Sequence, residues 1–186
     1  GRDGLVIGEG SACLILEEYE HAVARGARIY AELVGYGSNT DGMHVTQPNR
    51  DTMAGCMRLS LADANLQPDA IHYINGHGTA TEQGDIAESQ ATMEVMGGNI
   101  PLSSLKSYFG HTLGACGAIE AMLAIKMMQT QTFIANLNLE QIDPECAPLN
   151  FIQGEAQHFR AEYIMSNNFA FGGINTSLIF RNPQAS

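Results

Sequence analysis

Residues 114–129, GACGAIEAMLAIKMMQ, constrain this chain more than any other segment. The pattern predicts a helix. Apolar or small side chains occupy nearly every face of it, and a helix that is apolar all round is buried all round. Gly114, Ala115, Gly117, Ala118 and Ala121 let another backbone approach closely. The helix therefore needs protein on both sides, and the remaining elements of a 186-residue chain are too few to surround it. Glu120 sits on this helix, where an unpaired carboxylate is costly.

Composition agrees with a chain made to be covered. Hydrophobic residues make up 45% and charged residues 16%, below the usual quarter or so. That balance works against disorder, and it leaves little solvated surface for the core it encloses. The net charge is −11, from 9 Lys and Arg against 20 Asp and Glu, with no basic run of five. Nucleic-acid binding through phosphate contacts is disfavoured. No apolar stretch reaches 18 residues, so no membrane span is expected. The opening Gly1-Arg2-Asp3-Gly4 does not resemble a signal peptide. Cys13, Cys56, Cys116 and Cys146 show no CxxC pairing and read as reduced, structural thiols of a cytoplasmic protein.

The pattern predicts a strand over 5–17, with 12–16 a continuous apolar run like that of a strand buried on both faces. A short helix over 18–25 stops at Gly26. A strand over 29–36 leads into a polar loop over 38–50. Met53, Cys56, Met57, Leu61 and Ala64 lie at helical spacing within 52–65. A strand over 71–75, a helix over 85–96 and a strand over 100–103 follow. Beyond the apolar helix come a linker over 143–148 and strands over 163–167 and 176–180. Alternation of strands with helices indicates an α/β layered fold.

Two loops carry chemistry. GHGTATEQGD (76–85) follows a strand and precedes a helix, where α/β folds place their sites. Its His77 is flanked by glycines and poorly shielded. KSYFGHTLGACG (106–117) puts Lys106 and His111 just before the apolar helix, and Lys106 is one of only two lysines. Together with SNNFAFGGIN (166–175), RDG (2–4), GEG (8–10) and DGMHVT (41–46), these motifs resemble the β-ketoacyl-acyl-carrier-protein synthases. The resemblance covers essentially the whole chain, and is greatest to the freestanding elongating type.

The resemblance implies a thiolase-like fold, an α-β-α-β-α sandwich of two halves with a mixed five-stranded sheet in each. Residues 1–186 resemble the C-terminal half only, with the N-terminal half absent, and the apolar helix fits the central layer. The implied reaction is the decarboxylating Claisen condensation of fatty acid elongation, in which malonyl carrier protein attacks an acyl-cysteine thioester. By resemblance His77 and His111 are the catalytic histidines, and Lys106 orients one of them and pairs with Glu88. Thr79 and Thr81 would hydrogen-bond the phosphopantetheine arm that arrives on the carrier protein. Phe171 would supply an oxyanion-hole N–H and, with Phe169, a gate to the acyl pocket; Asp41, His44 and Thr46 fall on a second gating loop. Ala170 stands where the family has Gly, which would restrict the loop if that residue needs φ > 0. No cofactor is required, and Asn75, Glu120, Ser166 and Asn167 are candidates for a monovalent cation. Acyl carrier protein is the implied partner, and family enzymes are homodimers.

None of the four cysteines matches the family nucleophile: Cys13 is expected in a strand, Cys56 and Cys116 in helices, Cys146 in a linker. The chain alone is therefore expected to be inactive. A non-catalytic chain-length factor is the alternative, against which the retention of His77, Lys106 and His111 weighs. A zinc module is disfavoured by the wide separation of His77 and His111 and the lack of CxxC or HxxxH pairs.

Overall fold

The computed structural model describes residues 1–42 and 44–184; Met43, within the 41–46 motif, lies outside them. The elements in chain order are α1 (Tyr19–Ala24), β1 (Glu32–Thr40), α2 (Arg50–Asp63), β2 (Ile71–Asn75), α3 (Glu82–Met96) and β3 (Leu102–Ser103). Then follow α4 (Lys106–Phe109), α5 (Cys116–Thr130), β4 (Thr132–Phe133), β5 (Gln157–His158), β6 (Tyr163–Phe169) and β7 (Ile174–Arg181).

Five strands form one mixed sheet in the order β1-β7-β6-β2-β3. β2 runs parallel to both β3 and β6, while β7 runs antiparallel to β6 and β1. Side chains alternate across the sheet with period two. On β6, Met165 faces the α2 and α3 layer and Ile164 the α5 layer; on β7, Ile179 and Phe180 divide the same way. Ile71 and Tyr73 break this parity, because a register shift between them turns Tyr73 to the α5 side. Among the described residues no helix is long and apolar enough to cross a membrane.

The two layers differ in how well they are sealed. α2 buries Met53, Met57 and Leu61 against the sheet. Asn49 caps its first turn, accepting from the N–H groups of Asp51 and Thr52. α5 buries Cys116, Glu120, Ala121, Ala124, Met127 and Met128, one face only. Its other face is not covered all round as expected: Met122 is exposed, and Gly117, Ala118 and Ile119 are half-exposed.

The expected strand over 5–17 is also absent. Ile7 makes a single bridge to His111, and the apolar run beyond it is open, with Ile15 90% and Leu16 76% exposed. Cys13 thus lies in exposed irregular chain rather than in a strand. Residues 8–10 lie against α4 and the Ile119 side of α5, but Ile15, Leu16 and Met122 meet too little of the described chain to be covered. β1 begins three residues later than expected and runs to Thr40, into the segment expected as loop. The short β4–β5 pair and α4 were too short for a periodic pattern to reveal.

Candidate active site

The carboxyl ends of the parallel strands β2, β3 and β6 deliver the functional side chains to one place. His77 leaves β2 in a loop clamped from two sides. Glu88 of α3 accepts from the His77 N–H at 2.6 Å and from the Gly78 N–H at 2.8 Å. Ser104 Oγ contacts the His77 and Gly78 carbonyls at 3.2 and 3.1 Å. Gly78 has φ +43° and lies so close to Ser104 that a Cβ would stand 2.5 Å from the serine Cβ, so this turn needs glycine. Burial pushes the Glu88 carboxyl up to about 7, against the pull of its two N–H partners.

Lys106 opens α4 just past β3 and is buried. Its Nζ lies 3.0 Å from His77 Nδ1 and 2.5 Å from Glu120 Oε1. This corrects the expected pairing with Glu88, whose two oxygens are taken by backbone N–H groups. Glu120 comes from the buried face of α5, with Asn168 Nδ2 donating to its other oxygen at 3.0 Å. Burial raises the Glu120 carboxyl while the Lys106 ammonium draws it back down. An ammonium only donates, so His77 Nδ1 accepts and the ring proton resides on Nε2.

His111 follows α4 and is strapped to the N-terminal segment: its N–H donates to the Val6 carbonyl at 2.7 Å, and the Gly8 N–H donates to its carbonyl at 2.9 Å. Its Nδ1 accepts from the Leu113 N–H at 3.0 Å and lies 3.2 Å from Cys116 Sγ. The two imidazoles stand edge to face with centroids 5.3 Å apart. Burial, then the Lys106 charge, then His111 hold His77 well below the ordinary histidine range. Burial and then Lys106 lower His111 as well. Two neutral rings whose Nδ1 atoms are engaged present two Nε2–H donors.

Both rings line a cavity of about 470 Å³, together with Glu88, Thr46, Thr79, Thr81, Phe169 and Phe171. Thr79 and Thr81 hydroxyls are 2.8 Å apart, and a Cβ on Gly84 would stand 2.4 Å from Thr81 Oγ1, so Gly84 makes room for the pair. The buried Phe169 ring meets His77 edge-on at 6.2 Å. Phe171, 55% exposed, lies parallel to His111 at 6.5 Å. Ala170 has φ −84°, an ordinary extended conformation, so the condition under which alanine would restrict this loop is not met here. His44 is exposed beside the cavity loop, its Nδ1 accepting from the Thr46 N–H at 3.2 Å. A larger, more open hollow of about 740 Å³ lies at the amino ends of β2 and β3, lined by Ile71, His72 and Pro101, away from both catalytic candidates.

Of the candidate cation residues, Asn75, Glu120 and Ser166 lie on the α5 side of the sheet, whereas Asn167, between Met165 and Phe169 on β6, turns its side chain to the α2 and α3 side. Asn75, Glu120, Ser166 and Asn167 are all buried, and Asn75 Nδ2 donates to Ser166 Oγ at 3.1 Å. Asn75 Oδ1 and both polar side-chain atoms of Asn167 have no hydrogen-bond partner. Buried amide oxygens left unpaired suit a hard cation. Among the described residues no group of three or more His, Cys, Asp and Glu side chains is placed to hold a metal ion.

Two contacts escaped the sequence reading. One side of the Lys106–Glu120 pair was legible in principle, since Glu120 is the one acidic residue of the apolar 114–129 helix and a buried charge requires a partner. The Cys116–His111 contact had a weaker signal, a five-residue spacing across a bend.

The model of the beta-ketoacyl synthase C-terminal domain matches residues 30–140. The chain is 41% identical over 184 residues to 3-oxoacyl-[acyl-carrier-protein] synthase 2 of Coxiella burnetii, covering 96% of this chain and 44% of that protein. It is 40% identical to the Staphylococcus aureus protein of the same name, covering all of this chain and 46% of that one. The chain thus spans a little under half the length of these relatives. Among solved structures, a β-ketoacyl synthase from Burkholderia phymatum superposes with TM-score 0.89 at 61% identity, over 90% of this chain and 41% of that one. A type II polyketide ketosynthase in complex with its acyl-carrier protein superposes with TM-score 0.91 at 39% identity, over 97% and 45%. The sheet and its helices are those of the C-terminal half of the thiolase-like ketosynthase fold. With this architecture and the matched domain, the chain belongs to the β-ketoacyl synthase family.

Proposed function

We propose that this chain supplies the decarboxylating side of a 3-oxoacyl-carrier-protein synthase site. The observation that supports it best is the pair of buried, neutral imidazoles, 5.3 Å apart on one cavity, with both Nδ1 atoms engaged. The malonyl carboxylate leaves as carbon dioxide, and its bonding electrons pass to the α-carbon and thioester oxygen as an enolate. His77 and His111 donate Nε2–H bonds to that oxygen, where negative charge develops. The α-carbon then attacks an acyl-cysteine thioester, the tetrahedral intermediate expels the cysteine thiolate, and a β-ketoacyl thioester results. Lys106 holds the tautomer of His77, and Glu88 holds its loop. Thr79 and Thr81 bind the phosphopantetheine arm of an acyl carrier protein, Phe171 contributes an oxyanion N–H, and the Phe169–Phe171 loop gates acyl entry.

No cysteine is among the residues lining the cavity, so the nucleophile comes from another part of the polypeptide. That part would cover the open face of α5 and the bare run ending at Ile15 and Leu16, which is why the chain alone is inactive in this reading. A monovalent cation held by Asn75, Glu120 and Ser166 on the α5 side of the sheet would satisfy the unpaired Asn75 Oδ1 and stiffen the end of β2 that carries His77.

A chain-length factor is the second reading, since one superposed structure is titled a ketosynthase/chain length factor. The complete set His77, Lys106, His111 and Glu120 favours the catalytic one. The full-length protein, given acyl and malonyl carrier proteins, should release carbon dioxide and form β-ketoacyl carrier protein. Neither product from folded, acyl-loaded protein would remove the proposal.

A further inference from the structure

Cys116 opens α5, is 2% exposed, and does not line the cavity, so it has no direct route to substrate. Its Sγ lies 3.2 Å from His111 Nδ1 and 3.5 Å from Thr112 Oγ1. We infer that Cys116 is a positioning residue for His111: its thiol S–H donates to Nδ1 beside the Leu113 N–H, so the ring keeps its proton on Nε2 and turns that edge to the cavity. This rests on the proposed role of His111 as an enolate donor.

The direction of the bonds follows from the groups present. The Thr112 hydroxyl donates to the sulfur, which leaves the thiol proton free to point at the imidazole. The chain Thr112 to Cys116 to Nδ1 polarises each of its bonds in the same sense. The opposite arrangement, a thiolate beside an imidazolium, would put a new cation near buried Lys106, whose charge already disfavours it. Leu113 alone would leave one donor on Nδ1. A second donor opposes protonation there and restricts rotation of the ring. Lys106 is the charged group acting on His111, the His77 ring stands edge to face with it, and both stay in place in the variants below.

The test uses the full-length protein with isotope-labelled histidine, read by long-range proton–nitrogen correlation at His111. Wild type should show bare Nδ1 and protonated Nε2. In Cys116→Ala the titration midpoint of His111 should rise by about half a pH unit, the scale of one modest hydrogen bond. The kcat for malonyl decarboxylation should fall about threefold with KM unchanged. Cys116→Ser keeps a donor and should restore both. An unmoved midpoint in Cys116→Ala, or Cys116→Ser behaving like alanine, would overturn the assignment. The spectrum needs no turnover, so a protein that does not decarboxylate would sink the functional proposal while the titration still decides Cys116.

Discussion

His77 and His111 share a cavity and a tautomer, yet they are held by opposite means. His77 is braced by charge: Lys106 on its ring, Glu120 behind the lysine, and Glu88 on its backbone. His111 is braced by uncharged donors, the Leu113 N–H and the Cys116 thiol, and by a backbone strap from residues 6–8. Charge fixes a tautomer strongly but must itself be buried and paired. Neutral donors fix it more weakly and cost little. The loop of His77 should therefore be sensitive to pH and to charge removal, and the loop of His111 largely indifferent to both.

The largest break in this comparison comes at Lys106. Lys106→Met strands the Glu120 carboxylate, and unfolding in urea should show a loss of about 3–5 kcal/mol. Adding Glu120→Gln should recover most of that stability and none of the rate, because the His77 ring still lacks its donor. A smaller stability effect is expected from the histidines themselves. His77→Ala and His111→Ala should each slow decarboxylation about a hundredfold, as for loss of one oxyanion donor. His77→Ala should also destabilise, by about 1–3 kcal/mol, since it deprives buried Lys106 of a partner, and His111→Ala by less, since it frees only the Leu113 N–H and the Cys116 thiol. Equal losses of stability would erase the distinction between the two loops.

Glu88 gives the gentlest and sharpest test. Its folded value lies above the ordinary 4.5, at about 7, so the folded state holds the extra proton between those limits. Its contribution to stability is complete below about pH 4.5 and is lost as pH rises towards about 7, up to about 3 kcal/mol. Urea midpoints of Glu88→Gln across this window should show a flatter pH dependence than wild type. A slope unchanged by the substitution would show that another group carries it.

The motifs around His77, Lys106 and His111 were legible because short glycine-bracketed loops leave their chemistry on the page. The strand over 71–75 and the helix in 82–96 were legible because each carries a full run of its own period. The segment over 5–17 was misread because an apolar run states a need for burial and not the identity of what buries it. The carboxylate that meets Lys106 is not legible in the sequence, since α3 and α5 each bury a glutamate, Glu88 and Glu120, and only packing shows which reaches.

By itself, then, the sequence determined the α/β class, the family and the two loops whose histidines meet at one cavity, and it marked the 114–129 helix as apolar on nearly every face. Those properties reside in local patterns and in residue types, which need no third dimension. Tertiary structure alone decided that Glu120 answers Lys106, that Glu88 serves the backbone, and that Cys116 stands behind His111. Each depends on the angle at which α3 and α5 cross the strand ends, and ångström differences there decide which donor meets which acceptor.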